Sequence, residues 1–305
     1  MNQFRTLVQR ELIENRSSWL VSAGFGGLFV LAALLAVFGL VRVDVLTDPM
    51  TFAEISESVD AEVMGELLTM LLLAIAGTLG LVTALVVAFY FLDALYADRK
   101  DRSILFWKSL PVTDLKVVCS KWLTGAVVIP LLTVLVFLAT AVLVSLIGSA
   151  ALFSVGGSEL LPAVPESIGR VTALMLYLFA CHVLWYAPVA GWLLLVSAFA
   201  KRAVLAWAIF FPALIVAAEA IFFSGSRRAL ELIGHRLGGG IELATRNVER
   251  HLILADGSII SVFPALTDAL TPGRLLAAPS LWAGIVVGAA FLAGAVWLRR
   301  WRDES

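Results

Sequence analysis

The chain has 305 residues, 61% of them hydrophobic and only 15% charged, a balance that excludes a soluble globular domain and calls for an integral membrane protein. A formal net charge of -1 leaves no dominant basic surface, which argues against a nucleic-acid partner. At about 20 residues per span the length holds about six transmembrane helices with short connections, so the expected fold class is an all-α integral membrane protein.

Residues 1–18 read as an amphipathic helix with Phe4, Leu7, Val8, Leu12 and Trp19 along one side, a pattern that Glu11 and Ile13 interrupt. Arg5, Arg10 and Arg16 favour the cytoplasmic face. The helix is expected to lie in the interface, either as a simple anchor or also touching a cytoplasmic partner. Its acids Glu11 and Glu14, and the long apolar run that follows, speak against a cleaved signal peptide, so the first span is expected to stay. Residues 19–305 then form one transmembrane domain with spans at 19–40, 67–92, 122–147, 170–200, 203–223 and 279–298.

Small residues mark packing faces within these spans. Gly80, Ala84 and Ala88 form a small-xxx-small ridge in span two, and Gly284 and Gly288 a GxxxG pair in span six. Pro130 predicts a kink in span three. Between spans one and two lie seven acids (Asp44, Asp48, Glu54, Glu57, Asp60, Glu62 and Glu66) against Arg42 alone. The longest connection, 224–278, contains an amphipathic stretch over 227–254 that Gly238, Gly239 and Gly240 are expected to break. Positive residues set the orientation. Arg99, Lys100, Arg102, Lys108, Lys116, Lys121, Lys201, Arg202, Arg299, Arg300 and Arg302 fall on one side with the N-terminal arginines, which predicts both termini cytoplasmic.

Catalytic signatures are missing from the sequence. There is no GxxxxGK[ST] phosphate loop, no HExxH zinc helix and no GxSxG elbow, so the chain reads as a non-enzyme. Cys119 and Cys181 offer neither a disulfide framework nor a CxxC motif. His235 and His251 share the long connection with several acids, but their irregular spacing is no ligand signature, and no metal site is expected. His182 lies deep in span four, where an ionisable group is a functional candidate by default; the plainer reading is a neutral imidazole bonded to a neighbouring helix. Glu219, near the outer end of span five, either reaches water or lines an exit path. These two are the candidate pathway groups.

The most informative stretch is the polar connection 93–121 between spans two and three. Asp98, Arg99, Lys100, Asp101 and Arg102 bring charge of both signs, then Ile104, Leu105, Phe106 and Trp107 supply four large apolar side chains. A short helix ended by Ser109, Leu110 and Pro111 fits this pattern, because Pro111 cannot continue it and restricts Leu110. Such a stretch neither enters lipid nor buries itself alone, so it reads as a docking element at the membrane face. Thr113 or Asp114 is placed to cap the helix that follows.

The run from Leu95 to Asp114 resembles the connection after span two in bacterial permease subunits of the type-2 ABC transporter superfamily, and the six-span layout with its amphipathic start and basic tail resembles the exporters of that group. The resemblance implies that this connection is a coupling helix seated on a separate ABC ATPase. Asp98 to Arg102 would make the charged contacts, and Ile104 to Trp107 would pack on the ATPase surface. It further implies two ATPase copies, a second permease copy forming a homodimer, export through the bilayer of the bacterial inner membrane, and no cofactor on this chain, ATP and Mg2+ belonging to the ATPase. Part of 224–278 would dip back into the outer leaflet. The competing readings are a mechanical transducer acting on an external partner through 224–278, a secondary carrier, and an intramembrane enzyme. The last two suffer from the scarcity of ionisable residues in the spans.

Overall fold

The computed structural model describes residues 3–38, 61–101, 112–154, 160–223, 226–240, 270 and 272–301. Among them the chain is helical throughout, with no strand, as expected of a backbone that must satisfy its own polar groups in lipid. In chain order the helices are α1 (Gln3–Glu14), α2 (Arg16–Val37), α3 (Ala61–Lys100), α4 (Asp114–Leu123), α5 (Ile129–Ser154), α6 (Leu160–Trp185), α7 (Ala187–Phe199), α8 (Val204–Phe222), α9 (residues 228–240), α10 (Pro272–Ala277) and α11 (Pro279–Trp301). A π-helical turn, Thr124–Val128, joins α4 to α5. Six segments are long and apolar enough to cross a membrane: Arg16–Val37, Gly65–Lys100, Asp114–Phe153, Leu161–Trp185, Val204–Phe222 and Pro279–Trp301. The chain is therefore a multi-pass membrane protein, with six candidate spans among the described residues, as expected.

Several boundaries differ from expectation for local reasons. The second span does not stop before Asp93 but continues as helix to Lys100. Span four is two helices that meet at Tyr186, because Pro188 has no N–H for the carbonyl of Leu184. Near Pro130 the backbone does not simply bend. It widens into the π turn one residue before the proline's neighbour, with the Ile129 N–H reaching back to the Thr124 carbonyl. Lys201 and Arg202 make the tight turn, and Ala203 enters α8 in the left-handed region at φ 50°, which costs a non-glycine residue about 1–2 kcal/mol. Gly238, Gly239 and Gly240 stay helical at the end of α9.

Two of the buried apolar clusters lie along α3. At the end carrying α1, Tyr90, Phe91 and Leu95 of α3 pack with Val118 of α4, Ile129 of α5 and Leu194 of α7. At the opposite end Leu72, Ile75 and Leu79 of α3 meet Phe137 and Ala141 of α5 and Val171 of α6. Between them Ser22, Thr83 and Thr133 form a hydroxyl triangle that ties α2, α3 and α5, with the Thr83–Thr133 contact at 2.7 Å. The side chain of α2's Gly26 position is absent for a reason: a Cβ there would stand 2.6 Å from the Thr140 hydroxyl. By contrast α8 packs mainly on α7 and α3 and leaves Leu205, Ile209, Leu214 and Ile215 exposed.

Candidate functional site

Where α3 ends and α4 begins, four helices bring five charged side chains into one chain of alternating sign. Lys121 Nζ lies 2.8 Å from Glu11 Oε1 and 3.3 Å from Asp98 Oδ1. Asp98 turns its other oxygen to Arg299, whose Nη1 donates to Oδ2 at 2.9 Å, and Arg299 Nε donates to Asp114 Oδ1 at 3.1 Å. Tyr90 completes the cluster by donating its hydroxyl to Glu11 Oε2 at 3.0 Å. Glu11, Asp98, Lys121 and Arg299 are each no more than 7% exposed, so none of these charges is relieved by water. A buried charge is tolerated only when paired, and the alternation Glu11–Lys121–Asp98–Arg299–Asp114 gives every member an opposite neighbour. Such a network contributes little net stability but fixes the relative position of the helices that carry it. The helix ends help: Asp114 sits in the first turn of α4 and Arg299 in the last turn of α11, each at the pole that favours its sign.

Arg99 makes a second fastening. Its Nη2 donates to the carbonyls of Ser197 at 2.5 Å and Ala200 at 2.8 Å, two groups at the C-terminal end of α7 that have no helical partner. Ser197 answers with its hydroxyl oxygen, which accepts from the backbone N–H of Leu95 and of Tyr96, both at 3.0 Å. Thr113 caps α4, its hydroxyl oxygen accepting from the Lys116 N–H at 3.4 Å. Both stems of the 102–111 segment are thus tied into the bundle, one to α7 and α11 and the other to α1 and α11.

This geometry revises part of the sequence reading. Asp98 follows the buried Ala94 by one turn of α3, so helix continuation to Lys100 carries it inward, where its partners are Lys121 and Arg299 rather than an outer surface. Arg99 is likewise engaged within the chain. Lys100 and Asp101 are exposed at the helix end. Arg102, Ile104, Leu105, Phe106 and Trp107 lie outside the described residues, as do His251 and the acids Asp44 to Asp60. Glu11, read as a flaw in an apolar face, belongs to that face: it follows the buried Leu7 by one turn and ends on Lys121. Lys121 and Arg299 were legible only as positive charges at span ends, and Tyr90 carried no signal at all.

At the opposite end, Glu219 is bonded to the start of α9. Its carboxylate accepts from the Ser226 hydroxyl at 2.6 Å and from the backbone N–H groups of Arg228 and Ala229 at 3.1 and 2.6 Å, which makes it the anionic cap of α9. α9 is also fastened farther along. Trp185 Nε1 donates to the Arg236 carbonyl at 2.9 Å, Tyr186 donates its hydroxyl to the Leu237 carbonyl at 2.6 Å, and the Arg236 guanidinium donates to the carbonyls of Trp185 and Ser280 while lying 4.5 Å over the Trp185 ring. Close approach explains two glycines: a Cβ on Gly240 would stand 2.5 Å from the Trp185 ring, and one on Gly284 would collide with the Arg236 guanidinium. These contacts hold the glycine-rich end of α9 in helix where the sequence predicted a break. The His182 ring lies tilted against that of Tyr186, centroids 4.5 Å apart. Gly288 lies against the Ala187 carbonyl, where a Cβ would come to 2.7 Å, whereas a Cβ on Gly80 would meet nothing within 4 Å; Ala84 and Ala88 are half-buried. Among the described residues no group of three or more His, Cys, Asp or Glu side chains is placed to hold a metal ion.

Comparison with known proteins returns one family. The model described as ABC-2 family transporter protein matches residues 63–164, a stretch that includes nearly all of α3, the 102–111 segment, α4, the π turn, α5 and the start of α6. No curated protein and no solved structure matches. The matched stretch contains both stems of the charged segment and three members of the ion network, Asp98, Asp114 and Lys121. Over residues 63–164, with six apolar segments among the described residues, the chain is similar to ABC-2 family transporter proteins.

Proposed function

We propose that the chain is the permease subunit of a split ABC exporter, that two copies form the transmembrane pathway, and that two copies of a separate ATPase drive it from the cytoplasmic face of the inner membrane. The supporting observation is the fastening of both stems of the 102–111 segment. A surface segment that only had to be soluble would not need its flanks tied by buried ion pairs to α1, α7 and α11. A segment that receives force does need this, since a push on a loose loop moves only the loop. ATP-driven closure of the ATPases on residues 100–111 would then be felt by α3, α4 and α11 together, favouring one arrangement of the spans over another. The positive residues beside this end, Lys100, Lys116, Lys201 and Arg300 among them, support its cytoplasmic placement with both termini.

The test is co-purification of the tagged full-length permease from native membranes, followed by an ATPase assay. An ABC ATPase that travels with the wild-type chain and is lost on Lys100→Glu with Arg102→Glu supports the reading. A well-folded permease that brings down no ATPase sinks it.

A further inference from the structure

Resting on the permease reading, we infer that α1 and α4 form one rigid lever that pivots at the π-helical turn Thr124–Val128, with Tyr90 and Phe91 as its fulcrum. Three sets of contacts lead here.

The lever is bonded along its length. α1 packs on α4, Glu11 pairs with Lys121 in a site closed to water, and at the outer edge Lys116 Nζ donates to Gln3 Oε1 at 3.0 Å. Leu7, Val117 and Val118 are buried in the same unit.

Beyond the turn the chain is held still. Thr133, on the first turn of α5 past Pro130, is locked into the hydroxyl triangle with Ser22 and Thr83. Between the bonded lever and the clamped base stands the π turn. Its wide hydrogen-bonding pattern and the missing N–H of Pro130 make it the weakest stretch of backbone in the third span.

The turn also rests on something. Gly125 brings its backbone so near α3 that a Cβ would stand 2.5 Å from the Phe91 ring and 2.8 Å from that of Tyr90. Phe91 is buried at 2% exposure and cannot recede. Tyr90 touches both parts of the device, its ring under the turn and its hydroxyl on Glu11 of the lever. When the 102–111 segment is pushed, the Glu11–Lys121 pair travels with the lever. The contacts that cross from the lever to α3 and α11 are the ones that change: Lys121–Asp98 at 3.3 Å, Asp114–Arg299 at 3.1 Å and Glu11–Tyr90 at 3.0 Å. Glu11 and Lys121 are thus positioning residues for transport.

The experiment uses the permease–ATPase complex in a background carrying Cys119→Ser and Cys181→Ser. Gln3→Cys and Lys116→Cys are added and bridged with a short bis-maleimide, tying α1 to α4 from the exposed side. Glu11→Gln without the bridge is expected to lower ATP turnover of the complex by about tenfold, in the usual range for coupling between sites, while the ATPase stays bound. The bridge alone is expected to leave turnover unchanged, and in the Glu11→Gln complex to restore it. Arrest of turnover by the bridge alone would mean that α1 and α4 separate during the cycle, which overturns the lever. Loss in Glu11→Gln without rescue by the bridge would reduce Glu11 to a stabilising residue and overturn it equally. A wild-type permease that brings down no ATPase fails at an earlier step and removes the permease reading itself.

Discussion

Asp98 and Arg299 are 201 positions apart in the chain and meet at 2.9 Å, joining the end of the second span to the end of the sixth. Each is less than a tenth exposed, so the pair is a buried ion pair in the strict sense. Removing one partner of such a pair costs about 3–5 kcal/mol, because the other charge is left in a site that does not solvate it. Arg299→Ala is expected at the lower end of that range, since Asp98 keeps Lys121 at 3.3 Å. Arg299→Lys should fall between, retaining the charge but losing the geometry that reaches Asp98 and Asp114 together. The midpoint of thermal unfolding in detergent checks the order wild type, Arg299→Lys, Arg299→Ala.

The glycines divide by what surrounds them. Gly288 faces the Ala187 carbonyl and Gly191 faces the Gly288 carbonyl, each with 2.7 Å to the position of a Cβ, so the backbones of α7 and α11 touch there. Gly288→Ala forces them apart and is expected to destabilise by about 1–3 kcal/mol, the usual cost of overpacking. Gly80→Ala meets nothing within 4 Å in the chain and should instead gain about 1 kcal/mol of helix propensity. Unfolding midpoints shifted in opposite directions are the expected result. A loss of assembly in Gly80→Ala would instead reveal a contact with a second copy.

The six spans were legible because apolar length alone specifies them, and all six appear among the helices. The ion network was not legible, for a physical reason. Its members are each ordinary in sequence: Glu11 on a surface helix, Lys121 and Arg299 at span ends, Asp98 in a polar connection. Only the convergence of α1, α3, α4 and α11 turns them into partners, and nothing in local periodicity records which helix ends meet. Asp98 shows where the error arises. A dense run of charges reads as a polar connection with a short docking helix of its own, whereas α3 continues through it to Lys100 with Asp98 paired inward to Lys121 and Arg299. Glycine misled in the same way. Gly238 to Gly240 read as a breaker, whereas Gly240 is where Trp185 passes α9.

Glu219 gives a prediction that separates a cap from a pathway group. Its carboxylate accepts two backbone N–H groups at the start of α9 and the Ser226 hydroxyl. Glu219→Gln keeps the size but loses the charge that complements the helix N-terminus. Amide hydrogen exchange over residues 228–240 is expected to speed up, beginning at Arg228 and Ala229, with ATP turnover of the complex little changed. Unaltered exchange with a loss of turnover would move Glu219 from α9 to the transport path.

The charged run at the end of α3 makes the last prediction, because its members do different work. Arg99 holds the α7 carbonyls of Ser197 and Ala200, so Arg99→Glu places a carboxylate against two carbonyl oxygens that it cannot bond. That variant is expected to lose stability by about 2 kcal/mol or more and to reduce the amount of permease recovered from the membrane. Lys100 and Asp101 are exposed beside it and make no such demand. Lys100→Glu should leave the unfolding midpoint within about 0.5 kcal/mol of wild type while weakening ATPase binding in a salt-dependent way. Pull-down at low and high salt, read beside the unfolding midpoint of each variant, separates the two. Should Arg99→Glu keep wild-type stability and lose only the ATPase, its bond to α7 would be incidental and the inward reading of the run would fall.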